Sequence, residues 1–78
     1  MNPYAESAAV YAFLQARPTC PKNASYEEKR IYDEWLSNMV DNVRNSVSDD
    51  MPEHVARHMG RDIGLLTNYF YLKRGKLC

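Results

Sequence analysis

Ser25-Tyr26-Glu27-Glu28 has the spacing of a capping box. In that motif a serine hydroxyl and a glutamate three residues on each satisfy a backbone donor that a helix start leaves unpaired. Tyr32, Leu36, Met39, Val43 and Val47 follow at helical spacing, flanked by Trp35 and Val40. The opposite face carries Glu27, Arg30, Glu34, Asn38, Asp41 and Asn45. A start signal and an amphipathic period that agree over this length predict a long helix over about residues 26–47, with an apolar face that other elements must cover.

The flanking segments supply those elements. Asn2 suits a helix N-cap and Pro3 the first helical position. A first helix is expected over about residues 3–17, with Val10, Phe13 and Leu14 on one face and Ala5, Ala8, Ala9 and Ala12 around them. Pro18 ends it, since proline disfavours helix in the residue before it and lacks an amide proton. Past the break at Ser48-Asp49-Asp50, Asp50 and Glu53 repeat the capping-box spacing around Pro52. A third helix is expected over about residues 51–73, with Val55, Met59, Ile63, Leu66, Tyr69 and Phe70 as its core stripe. Gly75 is the C-cap expected for it, and residues 75–78 are expected to be a short mobile tail. Tyr26, Tyr32, Trp35, Tyr69, Phe70 and Phe13 are expected to gather at one end of the core.

No segment alternates as a strand does. The fold class expected is all-α, a single-domain three-helix up-down-up bundle with two long helices and a shorter, alanine-rich first one. At 1.5 Å per residue the long helices span roughly 33 Å and the first roughly 22 Å. The first helix is therefore expected to leave Val43, Val47, Val55 and Met59 uncovered, as a strip for self-association or for a partner, unless Met1, Tyr4 and the turn fold over it.

Seventy-eight residues, 45% apolar and 26% charged, make an ordinary globular composition with a thin core. Ten basic residues balance ten acidic ones, which disfavours a dedicated nucleic-acid binder. The halves differ: residues 1–50 hold five basic and eight acidic side chains, a net of −3, and residues 51–78 hold five and two, a net of +3. Such a dipole steers association more than it shapes the fold. The apolar stretch Ala8–Leu14 follows no basic residue and is too short to cross a bilayer, so a cytoplasmic chain away from membranes is expected. Cys20 and Cys78 then read as free thiols, a bridge between them being the lesser alternative.

Chemistry is hard to assemble from what remains. His54, His58 and Asp62 follow one another at one-turn spacing but without a zinc-binding pattern, so His58 and Asp62 are expected to pair along the helix rather than hold a metal. Cys20 lies in a proline-flanked loop to which the sequence alone does not bring either histidine, and no glycine-rich phosphate loop is present. The reading is of a non-enzymatic chain without cofactors that binds another protein, as an inhibitor or adaptor.

On the third helix Gly60, Gly64, Thr67 and Tyr71 form a stripe opposite its large apolar residues, edged by Arg57, Arg61, Asn68 and Arg74. Each interior glycine costs about 0.8–1 kcal/mol relative to alanine, so the strip needs a reason. Either the alanines of the first helix lie on it, or it receives a partner, with Tyr71 as anchor and Arg57, Arg61 and Arg74 as rim. The acidic face of Glu27, Glu34 and Asp41 is a second candidate surface. Tyr69, Tyr71, Lys73, Arg74 and Lys76 could instead track phosphates, but that acidic face would repel a nucleic-acid backbone.

Arg17-Pro18-Thr19-Cys20-Pro21, followed by a helix carrying Trp35-Leu36, resembles the pattern of the ribosome modulation factor family. That family's strong basic charge and second tryptophan are absent here. The resemblance implies a ribosome- or nucleic-acid-associated helical regulator as the alternative function. In size and style the chain is similar to the inhibitors and adaptors of phages and mobile elements, anti-CRISPR proteins among them.

Overall fold

Small residues at four-residue intervals on two helices decide how this chain packs. The computed structural model of the protein describes residues 3–74, with side-chain environments through Tyr69. It contains α1 (Pro3–Ala16), α2 (Tyr26–Asn45) and α3 (Glu53–Arg74), and no strand occurs among the described residues. Alanines 5, 9, 12 and 16 of α1 face Ala56, Gly60 and Gly64 of α3, and the two helices run parallel along this seam. The seam admits no additional atoms. A Cβ on Gly60 would stand 2.7 Å from the Ala9 carbonyl carbon, and one on Gly64 would stand 2.7 Å from the Ala16 Cβ and 2.9 Å from the Phe13 carbonyl oxygen. Of the two readings of the glycine strip, internal packing is the one that holds: α1 occupies it.

The core phase of α3 is correspondingly rotated from the expectation. Val55, Leu66 and Tyr69 are 42%, 58% and 54% exposed, while Met59 and Ile63 are half-buried on the flank. Backbone contact through glycine brings α1 against the small-residue face and turns the larger side chains of α3 outward. Of the aromatic cluster expected at one end, Tyr32 and Trp35 stand together with ring centroids 5.6 Å apart, and the Phe70 side chain lies outside the described residues. Tyr26 and Tyr69 are exposed and Phe13 is buried in the core.

α2 runs back along the other side of α1 with the face foreseen for it. Tyr32 and Val43 are buried, and Trp35, Leu36, Met39 and Val40 pack against the core around them. Ser25 caps it as expected: its Oγ accepts from the Glu28 amide at 3.2 Å and its amide donates to Glu28 Oε1 at 2.9 Å. The second capping box does not form. α3 begins at Glu53 with the Pro52 carbonyl accepting from the Ala56 amide at 3.0 Å, and Asp50 instead accepts the Ser48 hydroxyl at 3.1 Å.

Of the strip foreseen as uncovered at the Val47 end, Val55 is exposed and Met59 half-buried, but Val43 and Val47 are not part of it. Val43 and Val47 are buried in one cluster with Ala5, Ala9, Phe13 and Ala56. The linker between Ala16 and Tyr26 carries the start of α2 past the end of α1, so the overhang falls at the Tyr26 end. Tyr32 fastens that linker, its hydroxyl donating to the buried Pro18 carbonyl at 2.6 Å and accepting from Arg17 Nε at 3.1 Å. Arg17 also donates to the Leu14 carbonyl and so closes the last turn of α1.

Cys20, in the same linker, is disulfide-bonded, against the expectation of a free thiol. The expectation rested on compartment, whereas a bridge is decided by whether a second sulfur comes within reach. The other cysteine, Cys78, lies outside the described residues, as do the caps expected at Asn2 and Gly75. The molecule measures 41 × 21 × 16 Å, and no described helix is long and apolar enough to cross a membrane.

Candidate functional site

Because the alanine side of α1 is spent on α3 and Phe13 on the core, the tyrosines of α1 are left outside. Tyr4 and Tyr11 are seven residues apart, hence on one face of the helix, and are 75% and 65% exposed. Tyr11 stands between two grooves. On one side lies a groove of about 560 Å³ between α1 and α2, bounded by Pro3, Glu6, Ser7, Val10, Leu14 and, from α2, Arg44. On the other lies a groove of about 400 Å³ between α1 and α3, bounded by Ala12, Gln15, Ala16, Leu65, Arg57 and Arg61. The outer face of α1 is thus an aromatic and aliphatic strip with one arginine on its α2 margin and two on its α3 margin.

The arginines differ in what already holds them. Arg57 donates to Glu53 Oε1 at 3.2 Å along its own helix. Arg44 lies 3.8 Å from Asp41. Arg61 has no carboxylate within ion-pair distance among the described residues, since its neighbour Asp62 is turned to His58 at 3.4 Å. That His58–Asp62 contact is the one-turn pairing expected. Among the described residues no group of three potential ligands could hold a metal ion.

Sequence reasoning named Arg57 and Arg61 and the structure brings them to one groove, although not to the glycine strip they were placed beside. Tyr71 and Arg74 lie outside the residues whose side chains are described. The acidic face proves to be interleaved with its own cations. Arg30 bonds Glu27 at 2.7 Å and Glu34 at 3.2 Å, and Asp41 has Arg44 nearby. The hydrogen bond from Arg30 holds the Glu27 carboxyl below its ordinary pKa and Glu27 raises that of Arg30. Much of the negative charge is answered within the helix, so this face offers a partner less than its composition promised. Tyr4, Tyr11, Arg44 and Leu65 were missed. The seven-residue spacing of the two tyrosines, opposite the alanines, was the available signal.

The chain matches no family model, no curated protein and no solved structure. The likeness to the ribosome modulation factor pattern is therefore accompanied by no family match.

Proposed function

We propose that this chain works by binding another protein through the outer face of α1, as an inhibitor or adaptor that covers a surface of its target. The observation that carries this reading is Tyr11, 65% exposed between two grooves with Arg44 on one margin and Arg57 and Arg61 on the other. Tyrosine and arginine are the residue types that most often dominate binding energy, and an apolar centre with a polar rim is the usual anatomy of a protein interface. The strip stands on two helices locked together through Gly60 and Gly64, so it is presented with little conformational entropy left to lose on binding. Surface occlusion of this kind is the mode of action expected of a small phage- or mobile-element-type inhibitor, anti-CRISPR proteins included.

The test is quantitative capture from the native host with the wild-type chain and with Tyr11→Ser, each checked for helicity by circular dichroism. A partner held by the wild type and lost by the folded Tyr11→Ser variant supports the reading. Capture indifferent to that substitution refutes it. Salt-sensitive binding of DNA or RNA, with no protein partner, would replace it with the nucleic-acid alternative.

A further inference from the structure

We propose that the groove between α1 and α3 receives an acidic, amphipathic segment of the partner protein, which seats an apolar side chain between Tyr11 and Leu65 and pairs carboxylates with Arg57 and Arg61. This rests on the protein-binding reading above and names the chemistry of what is bound.

The apolar half of the groove is its floor. Ala12 and Ala16 of α1 form its base, with Leu65 on α3 44% exposed on one side and Tyr11 on the other, around about 400 Å³. Leu65 and Tyr11 keep large apolar areas in water here, and an inserted aliphatic group would remove both from it.

The charged half is the wall. Arg57 and Arg61 are one turn apart on α3, both lining the groove. The carboxylates around them are few. Glu53 is held by Arg57 alone, Asp62 is turned to His58, and the only carboxylate of α1, Glu6, lines the other groove. The wall therefore carries more positive charge than the described residues answer. Carboxylates one turn apart on a helical segment match that spacing, and guanidinium binds carboxylate with two parallel hydrogen bonds when geometry allows.

Other occupants fit less well. A nucleic-acid backbone would satisfy the arginines but lay sugar and phosphate over Leu65, Ala12 and Ala16. In a second copy of this chain Glu27, Glu34 and Asp41 are already engaged by Arg30 and Arg44, and neither Glu6 nor Asp33 has a second carboxylate one turn away on its own helix to match Arg57 and Arg61.

The probe is a synthetic helical peptide with leucines on one face and glutamates at one-turn spacing beside them, titrated by fluorescence anisotropy against the intact protein. Its counterpart carries glutamine at each glutamate. The acidic peptide is expected to bind roughly tenfold more tightly than the neutral one, the scale of one charge-assisted pair, because Arg57 already holds Glu53 and the net gain comes from Arg61, and Arg61→Gln is expected to erase that preference with helicity unchanged. Leu65→Ser is expected to weaken both peptides alike. Equal binding of the two peptides, a preference that survives Arg61→Gln, or tighter binding of an oligonucleotide of equal charge would overturn the proposal. So would self-association in sedimentation that Arg61→Gln abolishes. The two readings separate in host capture: a partner lost with Tyr11→Ser yet retained by Arg61→Gln removes the acidic segment and leaves protein binding standing.

Discussion

Gly60 of α3 lies against the backbone carbonyl of Ala9 of α1, and this contact fixes where everything else in the molecule can be. A Cβ at Gly60 would stand 2.7 Å from the Ala9 carbonyl carbon and 2.9 Å from its Cα, with the carbonyl oxygen nearer still. The atoms it meets are backbone and cannot rotate away. Parallel helices in such contact must expose whatever does not fit between them, which on α1 means Tyr4 and Tyr11 and on α3 means Leu65 and Leu66.

Gly60→Ala is accordingly expected to destabilise the fold although alanine is the better helix former. Helix propensity favours the change by about 0.8–1 kcal/mol, while overpacking costs about 1–3 kcal/mol, toward the upper end where backbone obstructs. A net loss of about 1–2 kcal/mol in urea unfolding is the outcome predicted. Gly64→Leu, with Ala16 and Phe13 in its way, should abolish the folded state. A Gly64→Leu protein with wild-type stability would mean that α1 does not lie on this strip.

The linker makes a second prediction. Tyr32→Phe removes the donor to the buried Pro18 carbonyl and the acceptor for Arg17, and should cost about 1–3 kcal/mol, the range for a buried group left unpaired. The loss should appear as a lower denaturation midpoint and as faster amide exchange near the end of α1.

Ser25→Ala should cost about 1 kcal/mol, as is usual when an N-cap hydroxyl is deleted. Glu28→Gln keeps an acceptor for the Ser25 amide and should cost clearly less. Equal losses for the two would show that the charge of Glu28 at the helix start matters as much as the Ser25 hydrogen bond.

Acidity acts on the exposed Glu27–Arg30 pair. The Glu27 pKa is lowered in the folded chain by the hydrogen bond from Arg30, so its contribution is present above the ordinary carboxylate value and is lost as pH falls through the folded one. Helicity of α2 should therefore decline on acidification more in the wild type than in Arg30→Ala, by a small amount that added salt reduces further. An acid transition unchanged by Arg30→Ala would assign it to other carboxylates.

Reading of the fold from sequence succeeded at α2, where the local signals suffice, although the same spacing at Asp50 and Glu53 makes no capping box. Ser25 and Glu28 make their capping box from adjacent residues, and the apolar stripe of α2 buries the face its period marks. It failed where two helices must agree. The period of α3 marks Val55, Met59 and Leu66 as one stripe, and size ranks them above Ala56, Gly60 and Gly64. The glycine strip was legible as a place where α1 could lie, but not that α1 lying there would turn Val55 and Leu66 outward. The same blindness hid Tyr11, whose role depends on which side of α1 the alanines turn inward. Arg57 and Arg61 were legible as a cationic edge, but the groove they edge is made jointly with α1.

The most direct measurement of the central claim is capture from the native host by four proteins of verified helicity: wild type, Tyr11→Ser, the Arg57→Glu/Arg61→Glu double variant, and Leu66→Ser. Leu66 is 58% exposed and borders neither groove, so its variant reports loss of apolar surface in general. The account predicts one partner retained by wild type and Leu66→Ser and lost by the other two. A partner that survives Tyr11→Ser and the charge reversal but disappears with Leu66→Ser would contradict it.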